Sequence, residues 1–358
     1  MLLSNCYLLT TNITFAPEDP THTDYNSCLL HSYKSLIESS RNRATLIATN
    51  AFAMDIRISA DVFSARGLVT VVTGGGSGIG LAIAAALAKS GATKVYILGR
   101  RIETLNEAVK SIAASEGVVV PIICDVSNPF TINTAVEQVQ NEVGYVDVLV
   151  NNAGVSGPDH RRVNTANSIS ELQDIMLSSW PGWATTFAIN TTSVVGVSAS
   201  FLPLLDAANA RRGWVTGKLE PGGNPRVKNE VEGMDSSDMR TSQIITVASI
   251  AAFNRFVTAG FAYGASKAGA VQLAKILATL LGPWGIRSNV IAPGIFPSEM
   301  TAGAPSTFPC DKIPAGRQGN FEEMSGTILY MVGKAGGYLN GNVQVIDGGR
   351  LGQMPATY

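Results

Sequence analysis

Tyr263 and Lys267 stand four positions apart in the run Tyr263-Gly264-Ala265-Ser266-Lys267. On a helix that spacing puts both side chains on one face, where an ammonium can sit close to a phenol. An unperturbed tyrosine ionises near about pH 10, too high for efficient proton exchange at neutrality. A neighbouring positive charge favours the phenolate and brings the group toward a useful range. The same pair on a solvated helix face would be inert, so its meaning depends on what the chain places beside it. A second stretch, Val71 to Gly80 (VVTGGGSGIG), suits a nucleotide-phosphate cradle. An apolar run, 68–72, ends in the glycine cluster, and an alanine-rich segment with helical spacing follows, an order of strand, turn and helix. Glycine lets the backbone turn sharply and approach a pyrophosphate, while the free N–H groups and positive end of the new helix attract the anion. A tight strand-to-helix turn with no ligand would use the same glycines.

The totals narrow the function classes. The 358 residues carry a net charge of -1, which leaves no basic surplus to neutralise a nucleic-acid backbone. Hydrophobic residues make up 46% and mean hydropathy is +0.18, enough for a sizeable core. No uninterrupted apolar run reaches membrane-spanning length, so a cytoplasmic protein without a membrane partner is expected. Four cysteines (Cys6, Cys28, Cys124, Cys310) lie far apart with no CxxC pair, which points to neither a zinc knot nor a disulfide framework. His22 and His31 precede the main domain and only His160 lies within it. That argues against a catalytic metal and against a Ser-His-Asp hydrolase, both of which need imidazole at the reacting centre.

From Gly67 onward, short apolar runs alternate with helix-length segments, the pattern of a parallel sheet covered on both faces. Strands are expected at 68–72, 94–98, 118–124, 146–150, 243–248, 286–291 and 342–346. Helices are expected near 79–90, 101–115, 129–143, 183–208, 261–281 and 321–332. The fold class is therefore α/β: a doubly wound, Rossmann-type, seven-stranded parallel sheet in one domain, 65–358. Residues 1–64 lack a strand or helix rhythm and are expected to be a poorly ordered extension. Their start resembles neither a secretory signal nor an Arg-rich transit peptide. Met54 is a plausible alternative beginning, and residues 1–53 are expected to be dispensable for the fold. Residues 211–241, polar and rich in Gly and Pro, are expected to form a mobile surface insertion.

The glycine cluster does not follow G-x-G-x-x-G, because Ile79 stands where a third glycine is needed. Its spacing, Thr73-Gly74-x-x-x-Gly78-Ile79-Gly80, resembles the short-chain dehydrogenase/reductase family in its single-domain branch. Other segments carry the resemblance onward to about Arg350. Asp125 ends the third strand candidate, where the family's acid meets the adenine and the backbone of the next residue, here Val126, helps to hold it. A helix N-cap by Asp125 or Ser127 is an alternative use. Asn151-Asn152-Ala153-Gly154 follows the fourth strand, as the family's N-N-A-G does, and implies cofactor contact by Asn152, Ala153 and Gly154. An ordinary Asn/Gly turn could look the same. Ser249, at the end of the fifth strand, matches the substrate-orienting serine. Asn190 matches the asparagine that bends the central helix and holds a water near the lysine. Pro293-Gly294 matches the segment that packs on the nicotinamide, and either Ser298 or Thr301 could supply the hydroxyl that meets the carboxamide.

The resemblance implies a ketone/secondary-alcohol oxidoreductase with a proton path from Tyr263 through the cofactor ribose, Lys267 and a water to Asn190, while Ser249 steadies the carbonyl oxygen. It also implies a homo-dimer or homo-tetramer. An NAD enzyme of this fold places Asp or Glu near the end of the second strand to bind the ribose 2′-hydroxyl. This chain has Gly99, Arg100 and Arg101 there, and the Arg100 guanidinium suits a 2′-phosphate, so NADP(H) is expected over NAD(H). Ser77 stands where many NADPH-using relatives have a basic residue. Residues 295–320 look like a flap over substrate. The segments PSEMT, AGRQG and YLNGNVQVIDGGR resemble fungal-type reductases related to the 3-oxoacyl reductases of rhamnolipid synthesis. Trp180, Phe187, Phe253, Phe256 and Phe261 suggest an apolar substrate pocket or buried packing. Two other functions share parts of this pattern. A non-catalytic NADP(H)-sensing regulator would be expected to lose Tyr263 or Lys267. An NAD-linked epimerase or dehydratase would show T-G-x-x-G-x-x-G and a larger C-terminal domain.

Overall fold

Seven short runs, most of them rich in Val, Ile and Leu, become the strands β1 (Val69–Thr73), β2 (Lys94–Gly99), β3 (Val119–Ile123), β4 (Val148–Asn151), β5 (Gln243–Val247), β6 (Arg287–Pro293) and β7 (Val343–Ile346). The computed structural model describes residues 60–112 and 116–357, so the expectations for residues 1–59 lie outside the described residues. The strands form one parallel sheet in the order β3-β2-β1-β4-β5-β6-β7. The helices are α1 (Gly78–Lys89), α2 (Ile102–Ser111), α3 (Pro129–Glu142), α4 (Ile169–Leu177), α5 (Gly182–Phe187), α6 (Ser193–Arg211), α7 (Phe261–Leu281) and α8 (Phe321–Val332). The expected elements are present, with ends that differ by a few residues. Helix α4 is additional: Ser168 caps it by accepting from Glu171 N, an S-x-x-E start signal that is visible in the sequence.

Successive side chains of a strand point to opposite faces, so a sheet covered on both sides needs apolar residues at every position. Val72 joins the core formed with α1, α2 and α8, whereas Val69 and Val71 join the core formed with α3, α6 and α7. The chain runs outward from β1 to β3 and then returns to lay β4 beside β1. Neighbouring crossovers leave in opposite directions at that junction, opening a crevice beyond the carboxyl ends of the strands. Among the described residues, one helical stretch, 182–211, is apolar and long enough to cross a membrane, but half of its most apolar window is buried inside the protein, as befits a core helix. Near the other end of the chain, Ala60–Phe63 forms one 3₁₀ turn that packs beside α8.

The 211–241 segment is more firmly tied than a mobile insertion. Its ends enter the body at the amino-terminal edge of the sheet. Asp147 accepts from Val69 N at 2.8 Å and from Arg212 Nε at 2.9 Å, and both Asp147 and Arg212 are buried. Arg212 and Arg240 share Asp238, at 2.9 and 2.7 Å. Burial alone would raise the Asp238 carboxyl, yet Arg240 and Arg212 hold it at about 2. Trp214, also buried, donates its indole N–H to Arg240 O at 3.1 Å. The polar composition that suggested a loose excursion is partly the composition of a buried ion cluster.

Replacing Asp147 by Asn should strand Arg212 beside a half-satisfied pocket and cost about 3 kcal/mol of stability, less if Asp238 compensates. Urea unfolding of the variant checks this, and a loss below about 0.5 kcal/mol, the range of an ordinary surface change, would show that the cluster is not integral to the fold.

Candidate active site

β1 ends at Thr73, the glycine turn follows, and α1 begins at Gly78. Ser77 is the N-cap residue but its side chain makes no capping bond, which leaves the first helical N–H groups facing the crevice. The turn cannot carry side chains. A Cβ at Gly80 would collide with Gly74 O and Asn152 Nδ2, and one at Gly74, where φ is +65°, would come within 3.0 Å of Ala153 Cα. The turn after β4 is thus pressed against the turn after β1. Thr73 joins them: its hydroxyl accepts from Asn152 N at 3.0 Å and Ala153 N at 3.1 Å. The Asn152 amide in turn donates to Thr73 O at 2.9 Å and Gly74 O at 3.2 Å, while Gly74 N donates to Leu98 O of β2 at 2.7 Å.

A cleft of about 350 Å³ opens above these turns. Its walls include Gly74, Ser77, Gly78, Ile79, Gly80, Arg100, Asp125, Val126, Asn152, Ala153, Gly154, Ser249, Tyr263, Lys267, Pro293, Gly294, Ser298 and Thr301. Two expected site residues, Thr73 and Asn190, lie behind the wall and are buried. The residues fit a dinucleotide: a side-chain-free turn with helix N–H groups for the diphosphate, a basic residue at the end of β2, and carboxylate Asp125 beyond β3. Asp125 is held below the usual carboxylate range by the hydroxyl and N–H of Ser127, and further by the Arg100 charge. The helix N-cap that the sequence offered to Asp125 or Ser127 is instead Asn128, whose side chain accepts from Phe130 N at 3.0 Å, and Asp125 lines the cleft. On the β6 side, Ser298 presses its Cβ toward Gly78, while Thr301 Oγ1 donates to Phe296 O at 2.6 Å. The Ser298 hydroxyl is engaged in the same loop, accepting from Thr301 N at 3.3 Å and lying 3.0 Å from Thr301 Oγ1, so the structure leaves both candidate hydroxyls in play.

At the inner end of the cleft α7 delivers Tyr263 and Lys267. Lys267 is buried and donates from Nζ to Val247 O at 3.0 Å, with Nζ 6.0 Å from the centre of the Tyr263 ring. Burial pulls its pKa down to about 8. Burial also raises the Tyr263 phenol, and the hydroxyl of Ser249 beside it pulls the other way. Desolvation is the largest influence on the phenol, and the Lys267 ammonium near its ring gives its hydrogen bond to a strand carbonyl. Ser249 is placed by the end of β5, where its oxygen accepts from Ala251 N at 3.1 Å and starts a 3₁₀ turn.

Asn190 bends the central helix as expected, in a π turn at Ala188–Thr192 between α5 and α6. Its side chain is occupied, however. Oδ1 accepts from Val155 N at 2.8 Å, and Nδ2 donates to Val155 O at 2.9 Å and Ser266 Oγ at 3.0 Å. Both amide hydrogens are used, so this side chain cannot also donate to a water. It instead fixes the segment after Gly154 against α7. Ser266, which the sequence reading passed over inside the YGASK run, completes this link by donating to Tyr263 O at 2.8 Å. The apolar lining also differs from expectation. Val155, Ile189, Phe296 and Met300 face the cleft, whereas Trp180, Phe187, Phe253, Phe256 and Phe261 are not in its wall. Trp183 and Phe187 stack on each other, with centroids 6.2 Å apart.

A doubly wound sheet, a glycine turn suited to a diphosphate, and a Tyr/Lys/Ser group at the crevice define a dinucleotide-dependent oxidoreductase. Comparison with known proteins names the family. Residues 68–215 match the family model for short chain dehydrogenase, and residues 231–350 match one described as enoyl-(acyl carrier protein) reductase. The short-chain dehydrogenase/reductase PhomF of Diaporthe leptostromiformis is 42% identical over 310 residues, 84% of this chain and 97% of that protein. The rhamnolipids biosynthesis 3-oxoacyl-[acyl-carrier-protein] reductase of Pseudomonas aeruginosa is 33% identical over 80% of this chain and 97% of its own. Among solved structures, the Pseudomonas aeruginosa RhlG/NADP active-site complex superposes with a TM-score of 0.64 at 30% identity, covering 82% of this chain and 100% of that one. The chain belongs to the short-chain dehydrogenase/reductase family, enzymes acting on CH–OH and C=O groups.

The buried lysine has a measurable signature. Its folded pKa of about 8 lies below the ordinary 10.5. Between those values the unfolded chain holds a proton that the folded chain has released, so this group's contribution to stability rises with pH. Relative to Lys267→Met, the unfolding free energy should increase by about 2 kcal/mol from pH 7.5 to pH 9.5. Urea titrations of both proteins at the two pH values test this; parallel pH profiles would contradict the lowered pKa.

Proposed function

We propose that this protein is an NADP(H)-dependent reductase interconverting a ketone and a secondary alcohol, with Tyr263 as general acid and base. The observation that supports it most is the convergence of Tyr263, Lys267 and Ser249 on one end of a cleft whose other end carries a diphosphate-compatible turn and Arg100. When bound in this cleft, a nicotinamide would supply the hydride. The chain supplies the rest. Ser249 and Tyr263 orient the carbonyl oxygen by hydrogen bonding, and Tyr263 gives its proton to that oxygen as negative charge develops. A phenol kept neutral by burial is suited to this donor role. Lys267 brings a cation beside the phenol, and its charge eases the proton loss. Asn190, through Val155 and Ser266, holds the walls on which these groups stand. Phe296, Val155 and Ile189 exclude water from the reacting end, which strengthens each of these interactions.

The cofactor assignment rests on charge. No carboxylate stands at position 99, where an NAD enzyme would bind the 2′-hydroxyl, and Arg100 follows at once. A related solved structure is described as an NADP complex. For the substrate, the resemblance to a 3-oxoacyl reductase over most of both chains supports a ketone on an acyl chain as the first class to assay.

Two outcomes follow. Tyr263→Phe should lower kcat by about a thousandfold, the scale of general acid–base catalysis, while the dissociation constant for NADPH stays within about threefold. A variant that keeps most of its activity on a panel of ketones and 3-oxoacyl thioesters would rule out this role for Tyr263. The kcat/KM ratio should favour NADPH over NADH, and Arg100→Gln should shrink that preference by about tenfold, as expected for loss of a charge-assisted pair. A clear NADH preference in the unaltered protein would overturn the cofactor assignment.

A further inference from the structure

Arg100 and Arg101 are adjacent, yet the fold gives them different partners. Arg100 lines the cleft, and its charge helps to hold down the Asp125 carboxyl just beyond β3. Arg101, the N-cap residue of α2, reaches the other way: its Nη2 donates to Glu299 Oε1 at 2.9 Å. Glu299 opens a one-turn 3₁₀ helix, Glu299–Thr301, in the segment after β6, and the preceding Ser298 lies against Gly78. Arg101, Gly78, Ser298 and Glu299 all line the cleft. The pair therefore joins the rim beside β2 to the segment beyond β6, over the opening above the glycine turn.

We propose that Glu299 is a specificity-determining residue that tunes the cleft's discrimination for a 2′-phosphorylated dinucleotide through its hold on Arg101. The inference rests on the NADP(H) reading. Both partners are well exposed, with side chains 61% and 67% accessible, so the ion pair is of the weak, solvent-screened kind. A phosphate carries more charge than a carboxylate and accepts the guanidinium fork bidentately, so it can displace Glu299 from Arg101. The displacement still costs the free energy of the ion pair. Two guanidiniums and two carboxylates, Asp125 and Glu299, then share this rim, and the acidic residue from the β6 side partly cancels the basic signal that the end of β2 provides. A 2′-hydroxyl ligand has no phosphate to draw Arg101 away, so the pair affects it little.

The test is calorimetric titration of the full chain with adenosine 2′,5′-bisphosphate and with adenosine 5′-monophosphate, which differ only in the 2′-phosphate. At low ionic strength, Glu299→Gln should bind the bisphosphate about threefold more tightly, the scale of one exposed ion pair, and leave the monophosphate unchanged. Arg101→Gln should weaken the bisphosphate, and adding Glu299→Gln to it should then change nothing, because the two positions act through one contact. Equal tightening of both ligands, or an undiminished Glu299→Gln effect without Arg101, would overturn the proposal. If the unaltered protein binds the two ligands alike, the NADP(H) reading itself falls, which is a different result from a preference that Glu299→Gln leaves untouched.

Discussion

The contact between the turn after β1 and the turn after β4 is the constraint on which the site depends. Strands β1 and β4 are neighbours in the sheet although Val148 and Asn151 stand 75 and 78 positions beyond Thr73, and the turns at their carboxyl ends meet too closely for a Cβ at Gly74 or Gly80. Thr73 satisfies the N–H groups of Asn152 and Ala153, and Asn152 returns bonds to the carbonyls of Thr73 and Gly74. With those groups paired, and Gly74 N given to Leu98 O, the uncapped first N–H groups of α1 are left beside the cleft that Gly78, Ile79 and Gly80 line. The anion site is in this sense a by-product of satisfying two turns against each other.

The same economy of polar groups operates deeper in. Asn190 and Ser266 are buried, and a buried amide or hydroxyl must find partners. They find each other and the backbone of Val155 and Tyr263, which locks α7, the π turn and the segment after Gly154 together. Tyr263 and Lys267 are therefore held on a fixed wall of the cleft, where burial raises one pKa and lowers the other. At the opposite edge of the sheet, Asp147, Arg212, Asp238 and Arg240 use paired charges for a structural purpose. One end of the sheet spends its polar groups on chemistry and the other on closing the chain.

Much of this was legible in the sequence. The seven apolar runs and the intervening helical periods led to the parallel sheet, because burial on two faces demands that pattern. The residues that line the cleft were mostly legible as well, since glycine spacing, Asn-Asn-Ala-Gly and Tyr-x-x-x-Lys are local motifs at strand ends. Less legible were the partners reached through space. Glu299 meets Arg101 across 198 residues of sequence, and Ser266 meets Asn190 across 76. The buried state of Arg212 and Arg240 was hidden by a composition that looks solvated.

The sequence by itself determined the fold class and the family and singled out Tyr263, Lys267 and Ser249 as candidates, because those depend on residue type and short-range spacing. Only the tertiary structure decided the electrostatic state of those groups. Whether Lys267 acts on Tyr263 or on Val247 O, whether Asn190 is free to hold water, and which carboxylate Arg101 meets all depend on burial and on contacts between distant segments. Desolvation and hydrogen-bond pairing are properties of the assembled interior, and no single stretch of the chain contains them.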